Sequence, residues 1–247
     1  MERLLVIDLH SHILPELDDG SRSLNESLAM ARMAVEGGIR EMIATPHCME
    51  GRAREVRFAW ELLSEALRET GIPLKLYPGM EIFGTGDTVR LLQAGELFTL
   101  NGSRYPLVEF GFHSDGEEET EILRELVRAG YVPLVAHPER YAYLQQDFAL
   151  VNGWKKLGCL FQVNRGSLLG RFGRSAQMLA EAMVERRFAD VVATDAHSPR
   201  MRTPWLRDVR ERLGGRFSPE TARRLLEENP KRIRNNELLI PAEPEWF

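Results

Sequence analysis

Six apolar runs in this chain hand over to a histidine or a carboxylate, and that repetition constrains the fold more than any other feature. The run Leu4 to Leu9 leads into His10-Ser11-His12, and Val191-Val192-Ala193 leads into Asp195-Ala196-His197. Between them, Met42 to Pro46 ends in His47, Leu74 to Met80 in Glu81, Leu107-Val108 in Glu109, and Val132 to Ala136 in His137. Apolar runs of this length read as buried strands. Residues two apart on a strand share a face, so His-x-His and Asp-x-His each aim two metal-competent side chains at one spot. Gathering groups so far apart in sequence needs a fold that brings many strand ends to one mouth, which a β/α barrel does.

Composition agrees with one such unit. At 247 residues and 43% hydrophobic content the chain is long enough for one barrel, and no linker, repeat or low-complexity tract divides it. Residues 1–247 are therefore expected to form a single domain. A formal net charge of -5 without a basic stripe argues against a nucleic-acid partner. No stretch approaches the roughly 20 apolar residues of a membrane span, and the N-terminal run is too soon interrupted for a signal peptide, so a cytoplasmic protein is expected. Cys48 and Cys159 offer neither a disulfide framework nor a zinc spacing.

Strands are expected near 4–9, 41–45, 74–78, 106–109, 132–136, 159–163 and 190–194. Helices are expected near 24–37, 55–70, 88–94, 117–129, 141–157, 175–187, 205–213 and 218–228. This alternation is the signature of a parallel α/β architecture. In an open sheet the edge strands would lie too far apart to share one ligand cluster, so a distorted seven-stranded (β/α)7 barrel is the expected fold. The tail 241–247 is either loose or docked by its aromatics.

A lone histidine on an apolar strand is ordinarily a packed residue. Here five of the six (His10, His12, His47, His137, His197) end apolar runs alongside Glu81, Glu109 and Asp195, which independent packing does not explain. Imidazole and carboxylate without thiolate suit manganese, iron or zinc in a hydrolytic site, and so many ligands imply two or three ions. His113 sits in a polar stretch and reads as a surface residue. Asp8 is expected to orient a ligand imidazole and not to bind metal itself.

Lined up, these residues resemble the polymerase and histidinol phosphatase (PHP) superfamily, and more narrowly its CpsB/YwqE-type bacterial metal-dependent tyrosine phosphatases. The strings that carry the likeness are His10 to Pro15 with Asp18 to Ser21, Ala44 to His47, Gly79 to Ile82, Val108 to Phe110, Ala136 to Tyr141, Gln162 to Leu168 and Thr194 to His197. The resemblance implies a TIM-like PHP barrel with a three-ion site, usually manganese, with iron, cobalt or zinc as alternatives. It places His10, His12, Glu81 and Asp195 on one ion and Glu81, Glu109 and His137 on a second. Asp19, His47 and His197 would hold the third, with Asp18 the alternative to Asp19. Arg140 and Arg202 match arginines that face the phosphate. Glu16 stands where the family usually has glycine, and Cys48 where many members have a second histidine.

The implied chemistry is hydrolysis of phosphotyrosine in proteins by metal-activated water, without a phosphoenzyme. His47 or His197 could pass a proton to the leaving group through water. The implied partner is the phosphorylated tail of a bacterial tyrosine kinase of capsular or exopolysaccharide synthesis. Two other readings are a small-molecule phosphatase, such as one for histidinol phosphate, and a non-catalytic interaction module. A competing pattern also exists: His47 to Arg54 fits the His-Cys-x-x-Gly-x-x-Arg loop of cysteine-dependent phosphatases, whose thiolate is the nucleophile. Glu50 beside that loop, and the strand-end ligands it leaves unexplained, argue against it.

Overall fold

The structure, a computed structural model, describes residues 6–48, 51–239 and 243–247. Among them nine strand segments occur: β1 (Val6–Asp8), β2 (Ile39–Ala44), β3 (His47–Cys48), β4 (Lys75–Pro78), β5 (Glu81–Phe83), β6 (Leu107–Glu109), β7 (Leu134–Ala136), β8 (Leu160–Asn164) and β9 (Val191–Ala193). They form two parallel sheets, ordered β1-β2-β4 and β3-β5-β6-β7-β8-β9. The first expected strand began at Leu4 and Leu5, which lie outside the described residues.

Seven uninterrupted strands are therefore not what forms, and the reason is local. Pro46 has no N–H to give a ladder, so β2 stops at Ala44 and the chain resumes pairing as β3. In register with this break, β4 stops at Pro78 and β5 begins at Glu81. A Cβ on the intervening Gly79 would stand 2.8 Å from Ile43 Cγ2, so the chain passes β2 there with no room for a side chain. The Glu81 N–H donates to the Pro46 carbonyl (3.1 Å), which carries the pairing across the gap. The first and last strands also meet: Asp195 N donates to His10 O (2.9 Å), His12 N donates to Ala196 O (2.8 Å), and Ser11 bridges Ala196 in parallel.

The helices are α1 (Leu24–Glu36), α2 (Ala53–Glu69), α3 (Thr88–Gln93), α4 (Glu117–Arg128), α5 (Ala142–Gln146), α6 (Phe148–Leu157), α7 (Arg165–Leu168), α8 (Arg174–Glu185), α9 (Arg207–Arg216), α10 (Pro219–Arg223) and α11 (Asn229–Arg234). One helix expected over 141–157 is two, because Asp147 leaves helical geometry and caps α6 by accepting from Ala149 N at 2.8 Å. The helix expected to end near 228 continues to Arg234. A π turn over Arg224–Glu228 leads into α11, whose Pro230 cannot donate a helical hydrogen bond.

Strand alternation sorts the core. Ile7, Ile43, Leu107, Leu134, Val191 and Ala193 form one apolar cluster, while their neighbours Val6, Met42, Val108, Val135 and Val192 pack with the helices in another. Side chains of this size, fully buried, contribute about 1.5–3 kcal/mol each. The tail is docked: Glu245 N donates to Arg186 O (2.9 Å), and the Phe247 ring lies 4.8 Å from Phe148 and 4.9 Å from Phe188. Pro241 and Ala242 lie outside the described residues.

Candidate metal centre

The loop after β1 is shaped around His12. A Cβ on Gly20 would stand 2.2 Å from His12 O, so only glycine fits where Ser21 N returns to donate to that carbonyl (3.0 Å). Earlier in the loop Glu16 takes a left-handed backbone, φ 61°, which glycine adopts without penalty. Two further left-handed residues lie at the centre itself, His137 (φ 34°) and Asp195 (φ 51°). Each follows a strand that ends within the preceding two residues, and such a backbone is held only where its surroundings over-determine it.

Every histidine and carboxylate expected in the site arrives at one place. His10 Nε2 lies 3.3 Å from His12 Nε2, 3.2 Å from Glu81 Oε2 and 3.4 Å from Asp195 Oδ1. His12 Nε2 lies 3.2 Å from the same Glu81 oxygen and 3.4 Å from the same Asp195 oxygen. A triangle with sides near these values, such as that of His10 Nε2, His12 Nε2 and Asp195 Oδ1, has its centre about 1.9 Å from each corner, close to the length of a metal–nitrogen or metal–oxygen bond. The two carboxylate oxygens that face inward, Glu81 Oε2 and Asp195 Oδ1, are buried and have no hydrogen-bond donor. Buried acceptors left this way are costly unless something positive satisfies them.

Glu81 also reaches the neighbouring positions. Its Oε1 is 2.8 Å from His137 Nε2, and its Oε2 is 3.1 Å from His47 Nδ1, which in turn lies 2.6 Å from Glu109 Oε1. Farther out, Asp19 Oδ1 stands 3.5 Å from His47 Nε2 and 3.3 Å from His197 Nε2. Four overlapping groups could each hold an ion: His10, His12 and Asp195; His10, Glu81 and His137; His47, Glu81 and Glu109; and His12, Asp19, His47 and His197. Asp18 plays a different part. Its Oδ2 accepts from His12 Nδ1 (2.7 Å) and from His47 N (2.9 Å), and its Oδ1 from Gly20 N (2.9 Å).

Partners behind the imidazoles fix which nitrogen faces the centre. Asp18 takes His12 Nδ1, Gln162 Oε1 takes His10 Nδ1 (2.7 Å), and the Asp195 carbonyl takes His197 Nδ1 (3.0 Å), so in each ring Nε2 is turned inward. Gln162 Nε2 donates to Asn164 Oδ1 (2.8 Å), and Asn164 Nδ2 donates to Asp195 Oδ2 (2.6 Å), which ties two groups of the centre through β8. Sequence reasoning gave Gln162 and Asn164 no role. Their signal was two polar residues at i and i+2 on an otherwise apolar strand. Asp8 touches no imidazole: its carboxylate accepts from Thr194 N (3.0 Å) and His10 N (3.4 Å), so it secures backbone and does not orient a ring.

The arginines converge on the far side of Asp195. Arg202 pairs with Asp195 Oδ2 and donates from Nη1 to His197 Nε2 (2.9 Å), and Arg140 Nη1 lies 3.5 Å from the same carboxylate oxygen. Neither pairs with Glu139, which is buried and accepts from Asn164 N and Ser167 Oγ instead. Beside them a cleft of about 780 Å³ opens, bounded by Asp19, Arg22, His197, Arg200, Met201 and Arg202. His113 is exposed, as expected. Cys48 is buried, and burial pushes its thiol pKa up, the opposite of an activated nucleophile; Met49 and Glu50 of the competing loop lie outside the described residues.

Without ions the centre is a proton store. Burial opposes charge on His10 and His12, but Glu81, Asp195 and Asp18 around them raise both pKa values. Burial likewise opposes charge on His47, yet Glu109 and Glu81 carry it up to about 10, while burial and the His12 charge drive His197 down to about 3. Raised histidine pKa values add stability that is complete below the unfolded value of 6.5 and is lost as pH rises through the folded values. The melting temperature of chelator-stripped protein is therefore expected to fall from about pH 6.5 towards about 10. Metal affinity should rise over the same window, because binding needs neutral imidazoles and releases their protons. Calorimetric metal titrations in buffers of different ionisation enthalpy would count those protons.

Parallel strands with intervening helices make this an α/β fold, which its structural neighbours, TIM-barrel-like hydrolases, share. A lactonase of Listeria monocytogenes, Lmo2620, shares this fold at TM-score 0.57 and 14% identity, over 96% of each chain. Residues 6–235 match the model of the capsular polysaccharide synthesis family CpsB/CapC, and the chain belongs to that family. It is 33% identical to the tyrosine-protein phosphatase YwqE of Bacillus subtilis (97% of this chain, 96% of the relative). It is 30% identical to the tyrosine-protein phosphatase CpsB of Streptococcus pneumoniae (95% and 100%). A crystal structure from work on these two proteins, described there as unique metal-dependent tyrosine phosphatases, superposes at TM-score 0.91 and 33% identity over 98% of this chain and 99% of its own.

Proposed function

We propose that this chain is a metal-dependent protein-tyrosine phosphatase, and that residues 1–247 act as one catalytic unit. The observation that carries this reading is the set of four convergent ligand atoms, two of them buried carboxylate oxygens without a donor. We assign His10, His12, Glu81 and Asp195 to one ion, Glu81, Glu109 and His137 to a second, and Asp19, His47 and His197 to a third. Asp19 is preferred to Asp18, whose oxygens are already taken by three donors. Nitrogen and oxygen donors without sulfur suit manganese. The backbone bonds between the first and last strand ends support closure of the two sheets into a seven-position barrel, with β2 and β3 as one position and β4 and β5 as another.

When bound, the ions polarise phosphoryl oxygens and lower the pKa of water towards neutrality. Arg140 and Arg202 leave Asp195 to hold the phosphate, and their planar, charge-assisted grip strengthens as negative charge shifts in the transition state. Phenolate, with a pKa near 10, leaves without a strong acid. His47 and His197, at the open side, would both be neutral as ligands of the third ion, so the departing phenolate takes its proton from water. The tail of a tyrosine kinase of capsular or exopolysaccharide synthesis, in the cytoplasm, fits as the phosphoprotein substrate. Among the described residues no helix is long and apolar enough to cross a membrane.

The experiment is hydrolysis of a phosphotyrosine peptide by chelator-stripped protein before and after manganese is restored, with phosphoserine peptide and histidinol phosphate in parallel. Activity is expected to return with manganese, on phosphotyrosine alone, and to be unchanged in Cys48→Ser. Activity that survives stripping and falls in Cys48→Ser would return the cysteine mechanism, and metal-restored activity on histidinol phosphate would make the protein a small-molecule phosphatase.

A further inference from the structure

Two phenylalanines stand at the mouth of the centre with no part in holding metal. The Arg140 guanidinium carbon lies 4.7 Å from the centroid of Phe112 and 4.4 Å from that of Phe172, and Arg202 lies 5.9 Å over the same Phe172 ring. Guanidinium over an aromatic face is favourable, and here it fixes where both cations point. Neither ring is hidden in the core: Phe112 is 38% exposed and Phe172 half-buried. Phe112 is backed by His137 and Tyr141, each 6.0 Å from it.

The chain is built to admit the Phe172 ring. A Cβ on Gly166, in the turn that follows β8, would stand 2.5 Å from Phe172 Cε2 and 3.2 Å from two further ring carbons. The loop that brings Phe172 back over α7 bends at Gly170 (φ 76°) and Gly173 (φ 89°), conformations that other residues rarely adopt. Two glycine bends and one missing side chain thus serve to set a single aromatic ring beside two arginines.

We propose that Phe112 and Phe172 form an aromatic clamp for the phenol ring of the substrate, which makes the enzyme selective for aryl over alkyl phosphomonoesters. The proposal rests on the phosphatase reading above. A phosphoryl group held by Arg140 and Arg202 has its ester oxygen within about 5 Å of the guanidinium carbons, so an attached aromatic ring is within reach of the roughly 4.5–7 Å centroid separations at which aromatic rings pack. An alkyl ester of the same dianion meets the arginines equally well and leaves the two rings uncovered. Phe172 is therefore a specificity-determining residue, and Gly166 a positioning residue that acts through it.

The test is calorimetric binding of phenylphosphonate and methylphosphonate, which carry one charged group and differ in the ring, to manganese-loaded protein. Wild type is expected to prefer phenylphosphonate. Phe172→Leu should weaken phenylphosphonate about five- to tenfold while methylphosphonate changes less than about twofold. Phe172→Trp should restore the preference, and Gly166→Ala should reduce it in the same direction. Phe112→Leu, at the other ring beside Arg140, carries the test independently if Phe172→Leu fails to fold, as judged by metal content and melting temperature. Equal losses on both phosphonates, or a wild type without preference, would overturn the clamp. A wild type that hydrolyses no phosphomonoester and binds neither phosphonate would instead overturn the phosphatase reading, and the clamp with it.

Discussion

Glu81→Gln is expected to lower kcat on phosphotyrosine peptide by at least about a thousandfold, and to reduce the number of ions the protein retains. The carboxylate is fully buried and reaches four imidazoles, those of His10, His12, His47 and His137. Its two oxygens enter two of the proposed ion positions, so an amide there removes a shared anionic ligand and leaves an NH2 group facing imidazole nitrogens. Metal chemistry contributes several kcal/mol of transition-state stabilisation, and each 1.36 kcal/mol is a factor of ten in rate. The check is elemental analysis of metal content beside single-substrate kinetics. A variant that keeps its full complement of ions and stays within about tenfold of wild type would remove Glu81 from the centre.

Arg202→Ala is expected to cost about a hundred- to a thousandfold in kcat with metal content unchanged, the loss typical of removing one preorganised donor to a developing charge. In the absence of phosphate this guanidinium rests on Asp195 Oδ2 and His197 Nε2, and Arg140 stands against the same carboxylate. Arg202→Lys should recover little, because a point charge cannot reproduce a planar fork. If both arginines grip one phosphate, the double variant should lose less than the product of the single losses. Multiplicative losses would place the two side chains on different groups.

Eight of the candidate ligands were legible because each closes an apolar run, and a run of that kind announces both a strand and its end; Asp19, in the loop after His12, was not. Less legible was the break in the second and third strand positions. Proline at 46 and glycine at 79 sit inside runs that otherwise read as continuous; the first break follows from the missing N–H of Pro46, the second from a close approach to β2 at Gly79 that only the assembled sheets contain. Asp18 and Asp19 could not be told apart by spacing; one meets a ring nitrogen and two backbone amides, the other faces the cleft. Asp8 was misread because strand parity gives a direction and not a partner, and its partner is Thr194. Phe172 was invisible as a site residue, since its meaning depends on a missing Cβ at Gly166 and on loop bends at two further glycines.

Residues 8–12 and 194–196 are stitched together by backbone and side-chain bonds, one of which, from Thr194 N to Asp8 Oδ1, spans 186 positions of sequence. During synthesis the two histidines near the start must wait for the ninth strand before they have a complete set of neighbours. Closing so long a loop adds only slowly to the entropic cost, but it makes assembly slow. Ions held by His10 and His12 on one side and by Asp195 and His197 on the other would act as a buckle across that junction, bound by the assembled chain and not by the open one, and would favour it by mass action. Metal supply would then set how much of the protein reaches its finished form, as well as how fast each finished copy turns over.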